Sequence, residues 1–339
     1  MGDRAVRRKR FLSGTRFESL VVDAVMRFLA DISSFSNLVI RVPLRKYQVE
    51  PLRHILTSIF ANQGLEFLLI FPRQAGKNEA IAQLLVYLLN IYQRLGGNII
   101  YGAESSALSL GTERLEQRLD NPWNRGGWKA RAKPTRRSLG RAVIVFLSTS
   151  TQAKARGQTA HHLLVIDETQ DQNQAHVEAV FTPMRAATNA TAVYIGTVKL
   201  TSDFLWQKKL QLEAEQHADG QQRVFMVQPE TVMEQNPYYR DFLDAQVRKH
   251  GRHHPIVASE YYLEPIDGDG GLFDPRRRAL MLGDYPRERT PQANVLYIAT
   301  LDVAGEDEAA TDPLARLANP GRATSSHPAH APRCLARFP

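Results

Sequence analysis

Two stretches carry the groups that phosphate chemistry needs. FPRQAGKNEA (Phe71–Ala80) sets a Gly-Lys pair at the start of a helical pattern, and LLVIDE (Leu163–Glu168), about ninety residues later, ends an apolar run in two carboxylates. After a strand, the backbone N–H groups of a helix start cradle phosphate, and the helix dipole favours its charge. A Lys there reaches the β- and γ-phosphates. Of the two acids, Asp167 suits the shell of a Mg²⁺ ion and Glu168 suits a general base that polarises the attacking water. The loop departs from G-x-x-x-x-G-K-[ST] at both ends, with Phe71 at the first Gly position and Asn78 at the last. An Asn78 amide oxygen can serve Mg²⁺ directly or through water, less well than the usual hydroxyl. Taken alone, GKN is also an exposed Lys at a helix start, and a strand ending in two acids is also a solvated sheet edge. Together they point to an NTPase using Mg²⁺.

The elements that must position these groups follow from periodicity. EFLLIF (66–71), NIIYGA (98–103), RAVIVFLST (141–149), HHLLVIDE (161–168) and TAVYIGT (191–197) read as buried strands. Between them, 78–95 and 109–119 read as helices, and further helical patterns occupy 17–30, 41–56 and 204–216. Apolar strands alternating with helices predict an α/β fold with a parallel sheet covered on both faces. Ligands in such sheets bind at the carboxyl ends of the strands. Arg73–Asn78, Asp167 and Glu168, and Gly196 and Thr197 all fall there, with the loop strand and the acid strand expected as neighbours.

Bulk properties bound the partners. The net charge of +8 comes from the basic start (residues 1–10, +4) and from residues 313–339, which hold four Arg and no acid, leaving the rest near zero. A nucleic-acid role therefore rests on local patches, of which Trp123, Trp128 and the Arg-rich stretch 130–141 are a candidate and equally a solvated hairpin loop. One cysteine, Cys334, excludes a disulfide framework and fits a reducing, cytoplasmic compartment. No secretory signal is visible and no apolar run is long enough for a membrane span. His161–His162 and His253–His254 lack partners at metal-ligand spacing and read as solvated or packing residues.

The combination resembles the large subunit of tailed-phage terminases, the DNA-packaging ATPases, over residues 41–312. Their loop takes the form S/A-R-Q-x-G-K, and PRQAGKN matches it through Arg73, Gln74, Ala75, Gly76 and Lys77, with Asn78 where Thr or Ser is usual. The resemblance implies a P-loop fold of the RecA/ASCE type, ATP as the nucleotide, and an oligomeric ring acting on double-stranded DNA with a portal protein and a small subunit, inside a bacterial host. It implies that Tyr47 stacks on adenine and Gln48 reads its edge. From the residues alone these two are ordinary helix-start residues. It implies a transition-state role for Arg73, a finger role in a neighbouring subunit's site for Arg156 (otherwise a surface loop Arg), and a coupling role for Gly196 and Thr197 (otherwise a plain turn).

The resemblance also divides the chain: a basic arm and helix (1–40), the P-loop ATPase core (41–205), a helical lid or linker (206–268), and the start of an RNase H-like nuclease domain (269–312), with Asp302 as its leading metal ligand. Residues 313–339 read as disordered and possibly frameshifted. Because the chain runs only 37 residues past Asp302, too few carboxylates follow for two-metal cleavage, and no DNA cleavage is expected. The leading expectation is a packaging motor. The alternatives are an inactive, decayed prophage remnant and a helicase-like DNA-dependent ATPase, the latter requiring a second lobe that the sequence does not repeat.

Overall fold

The computed structural model describes residues 31–132, 135–152 and 155–266. The expectations for the basic arm, the nuclease start with Asp302, and the tail lie outside these residues.

The chain enters through a short helix α1 (Ile32–Phe35), which runs into a π-helical turn (Ser36–Ile40), and then α2 (Lys46–Phe60). The predicted alternation follows as β1 (Glu66–Ile70), α3 (Lys77–Tyr92), β2 (Gly97–Ala103) and α4 (Ser105–Leu119). Next come β3 (Trp128–Arg131), β4 (Arg136–Leu139), β5 (Ala142–Ser148), β6 (Leu163–Ile166), a short helix α5 (Gln174–His176) and β7 (Thr191–Gly196). The described part closes with α6 (Phe204–Asp219), β8 (Val224–Met226), α7 (Pro229–Gln235), α8 (Pro237–His250) and a π-helical turn (Val257–Tyr261).

All eight strands join one sheet in the order β3-β4-β5-β2-β6-β7-β1-β8. The stretch β5-β2-β6-β7-β1-β8 is parallel throughout, as the alternation predicts. The sheet is nevertheless mixed, because β3 and β4 form an antiparallel hairpin on β5. That hairpin occupies the Arg-rich stretch that read as a loop.

Side-chain alternation divides the core in two. Phe67 and Leu69, Ile99 and Tyr101, Ile144 and Phe146, Leu163 and Val165, and Val193 and Ile195 join one buried cluster with α1, α2 and α3. Their neighbours Leu68 and Ile70, Ile100, Val145, Leu164 and Ile166, and Ala192 and Tyr194 join a second, with Val177, Phe181, Phe204 and Leu212. Burying both faces explains why these strands are continuous apolar runs rather than alternating ones. Helix α3 is apolar nearly all round because it is buried nearly all round, from Ala80 to Asn90. Such a helix is fixed from several sides, which steadies the loop that feeds it.

Two corrections concern the placement of segments. The loop strand β1 and the acid strand β6 are not neighbours; β7 lies between them and pairs with both. The stretch 206–268, expected as a separate lid, contributes β8 to the sheet beside β1 and, through Leu212 of α6, joins the second core cluster. Among the described residues no helix is long and apolar enough to cross a membrane.

Candidate functional site

At the carboxyl end of β1 the backbone turns sharply. Gln74 and Gly76 both adopt left-handed conformations (φ 65° and 86°), and Gly76 caps the start of α3. Glycine is required at position 76: a Cβ there would come within 2.6 Å of the Gln48 amide. The loop is braced from behind. Tyr47 Oη donates to the Ala75 carbonyl at 2.9 Å, and Gln48 Nε2 donates to the Gly76 carbonyl at 2.9 Å. Gln48 Oε1 in turn accepts the Arg45 N–H at 2.8 Å, and the Tyr47 ring packs edge-on against Phe71. Both side chains are buried. The structure thus commits Tyr47 and Gln48 to the shape of the loop, where the sequence reading had them face a base.

A cavity of about 550 Å³ opens over this loop, lined by residues 72–78 and by Glu168, Gln170, Thr197 and Glu260 among others. Lys77, only 8% exposed, donates from Nζ to Glu168 Oε2 at 3.0 Å, joining the two sequence motifs across the end of β7. Asn78 Oδ1 is buried without a hydrogen-bond partner. A buried acceptor left unpaired is costly, and Asn78 lines the cavity together with Lys77 and Glu168.

The two acids behave differently. Asp167 is fully buried. Its Oδ2 accepts from Tyr101 Oη at 2.5 Å and its Oδ1 accepts the Glu168 N–H at 2.8 Å. Burial raises its pKa, the Lys77 charge offsets part of that, and the Glu168 charge adds to it. The Tyr101 hydroxyl, pushed far up by burial and then by Asp167, stays protonated as the donor. Asp167 does not line the cavity. Glu168 does line it. Burial alone would raise the Glu168 carboxyl, but the Lys77 charge and the hydrogen bonds from Gln170 and Lys77 hold it below the ordinary carboxylate value. Glu168 also sits in the left-handed region (φ 46°, ψ 52°), a conformation that persists in a non-glycine residue only where the surroundings over-determine it.

The end of β7 completes the wall. Thr197 Oγ1 donates to the Phe71 carbonyl at 3.3 Å, and the Thr197 N–H donates to Gln170 Oε1 at 3.2 Å. A Cβ on Gly196 would strike Gln170 Oε1 and Leu205 at 2.2 Å. Both expected coupling residues therefore stand between the loop and the acids.

Arg73 lines the cavity but pairs with the Glu260 carboxylate, while its own N–H donates to the Glu260 carbonyl at 2.8 Å and Tyr239 Oη donates to its carbonyl at 3.1 Å. Gln170, Tyr101, Glu260 and Tyr239 were missed by the sequence reading. Only the neighbourhood of Gln170 to the IDE run offered any signal. Arg156 is exposed on a turn and does not line the cavity. His161 and His162 pack as expected: His162 stacks on Tyr92 (centroids 3.6 Å apart) and bonds the Gly96 carbonyl.

Among the described residues no three His, Cys, Asp or Glu gather as a metal site. A Mg²⁺ that arrives with phosphate needs only one or two protein ligands. The donor set of Asn78 Oδ1, Glu168 and, through water, Asp167 fits such an ion.

A glycine-turned loop thus feeds a buried helix, and a Lys and a carboxylate meet over a cavity at the carboxyl edge of an α/β sheet. No protein-family model matches the chain, and no curated protein matches it. Among solved structures, the fold is similar to the HK97 bacteriophage large terminase (TM-score 0.55, 16% identity, covering 69% of this chain and 54% of that one). It is also similar to the large terminase of a thermophilic bacteriophage (TM-score 0.50, 11% identity, covering 65% and 53%). A structure of that thermophilic phage protein in complex with ADP matches with a TM-score of 0.50, 11% identity and coverage of 64% and 52%. The chain spans about half the length of these structures. The described residues thus carry the fold of the phage large terminases.

Proposed function

We propose that the chain is an ATP-hydrolysing subunit of a phage or prophage DNA-packaging motor. The observation that carries this reading is the meeting of Lys77 and Glu168 at 3.0 Å over the loop cavity, beside the unpaired Asn78 Oδ1. The fold shared with the large terminases, one of them solved with ADP, supports it.

In this reading ATP seats its phosphates on the loop N–H groups, and Lys77 moves from Glu168 to the β/γ-oxygens. Glu168, released, orients a water and accepts its proton as the O–Pγ bond forms and the γ-phosphoryl leaves ADP. Asn78 and, through water, Asp167 would hold a Mg²⁺ ion, which would supply charge neutralisation at the phosphates. Arg73 stabilises the transferring phosphoryl group once it leaves Glu260, and Arg156 serves a neighbouring subunit. Double-stranded DNA is the polymer moved, and a ring of copies with a portal and a small subunit is its setting.

The test is DNA-stimulated ATP turnover of wild type, Lys77→Ala and Glu168→Gln. The expected result is turnover in wild type alone. Equal background rates in all three would overturn the motor reading and favour a decayed remnant.

A further inference from the structure

Gln170 uses both ends of its amide. It lies in the 3₁₀ turn Thr169–Asp171 after β6 and is 8% exposed. Nε2 donates to Glu168 Oε2 at 2.8 Å and to Asp171 Oδ2 at 3.1 Å, while Oε1 accepts the Thr197 N–H at 3.2 Å. Thr197 then reaches the Phe71 carbonyl at the root of the loop. A single side chain thereby bridges the carboxylate of β6, the end of β7 and, through Thr197, the start of the phosphate loop. The space is cut to fit it, since Gly196 leaves the room that its Oε1 occupies.

The chemistry of the bridge restricts the residue type. Glu168 needs a donor, Asp171 accepts one beside its ion pair with Lys199 (2.6 Å), and the Thr197 N–H needs an acceptor. Lys or Arg would satisfy the first demand and fail the second. Glu would satisfy the second and set another carboxylate against Glu168 and Asp171. A neutral primary amide meets both. The shared oxygen matters as well: Glu168 Oε2 accepts from both Lys77 and Gln170. If Lys77 turns to a phosphate, Gln170 is the partner that still holds that oxygen.

We propose that Gln170 is a positioning residue that keeps Glu168 aimed when Lys77 leaves it, and that carries displacement of the Glu168 carboxylate to the Thr197 backbone. The inference rests on the ATPase reading above and extends it to a residue outside both motifs. The bridge acts on geometry and not on nucleotide affinity, so it separates kcat from KM.

The test uses the intact chain carrying Gln170→Ala or Gln170→Glu, with MgATP as the probe. Both variants are expected to lose about 10- to 100-fold in kcat, the scale on which a misplaced catalytic group costs rate, with KM within about twofold of wild type. Amide hydrogen exchange at Thr197, measured without nucleotide, is expected to speed up in Gln170→Ala. It should stay protected in Gln170→Glu, which keeps the acceptor. A merely structural role would alter exchange alike in both variants. Turnover within about twofold of wild type in either variant, or unchanged Thr197 exchange in Gln170→Ala, overturns the inference while leaving the ATPase reading intact. A wild type that neither binds nor hydrolyses ATP overturns both. Should Gln170→Ala fail to fold, the Gln170→Glu turnover alone decides.

Discussion

Strand β1 carries an ion cluster at each end, and the two differ in how completely they are satisfied. At the amino end, Glu66 accepts from Arg185 at 2.6 Å and from Lys208 at 3.2 Å. Arg185 also donates to the Gly64 carbonyl at 2.5 Å, and Lys208 to Gln211 at 2.9 Å while lying over the Tyr194 ring. At the carboxyl end, Lys77 holds Glu168 over an open cavity beside an unpaired Asn78 oxygen. Both clusters pair a carboxylate with a buried cation. A saturated cluster stitches β1 to α6 and to the segment before β7, whereas an unsaturated one has capacity left for a ligand. What distinguishes the carboxyl end is an ion pair that opens onto a cavity.

Mutations at the two ends should separate rate from stability. Lys77→Ala is expected to cut ATP turnover by about 10²–10³-fold, the scale for losing one stabiliser of developing charge, while the urea midpoint stays close to wild type. Glu66→Ala should do the reverse. It strands two mostly buried cations and is expected to cost about 2–3 kcal/mol in urea unfolding, below the full range for a broken buried pair because Glu66 keeps some exposure. Its kcat should remain within about twofold. A large loss of rate in Glu66→Ala, or of stability in Lys77→Ala, would break the comparison. Asn78→Thr sharpens it by placing a hydroxyl where the amide now lacks a partner: the Mg²⁺ concentration for half-maximal turnover should fall by roughly threefold.

The smallest effect belongs to an exposed pair. Asp219 is held down at about 2 by hydrogen bonds from Arg223 and from the Gln221 N–H. A depressed carboxylate stabilises the fold above its unfolded value near 3.8, and that contribution is lost as pH falls through about 2. Asp219→Asn should therefore melt slightly below wild type at pH 5 and together with it once both are below pH 2.

Much of this was legible in the sequence because apolar runs are long where strands are buried on both faces. All five strands read from the alternation are present, and the Gly-Lys loop and the IDE run do meet. The hairpin β3–β4 was hidden because WKAR and RRSL show no period-two apolar pattern; their pairing comes from the backbone of β5. Three-residue β8 is too short to signal itself. The interposition of β7 is a matter of strand order, which local pattern does not encode. Tyr47 and Gln48 read as ordinary helix-start residues apart from the family resemblance, and their hydrogen bonds go to carbonyls 28 residues away. Glu260 joins Arg73 across 187 residues, a contact no window of sequence contains.

The bracing of the loop by α2 has a calorimetric consequence. Tyr47 and Gln48 of α2 pin the Ala75 and Gly76 carbonyls, so contacts within the fold itself set the shape of the cradle. A nucleotide arriving there should release heat without the large opposing entropy of a loop that must first be gathered. Loosening the brace, as in Gln48→Ala, should leave the heat of binding nearly unchanged and make its entropy less favourable.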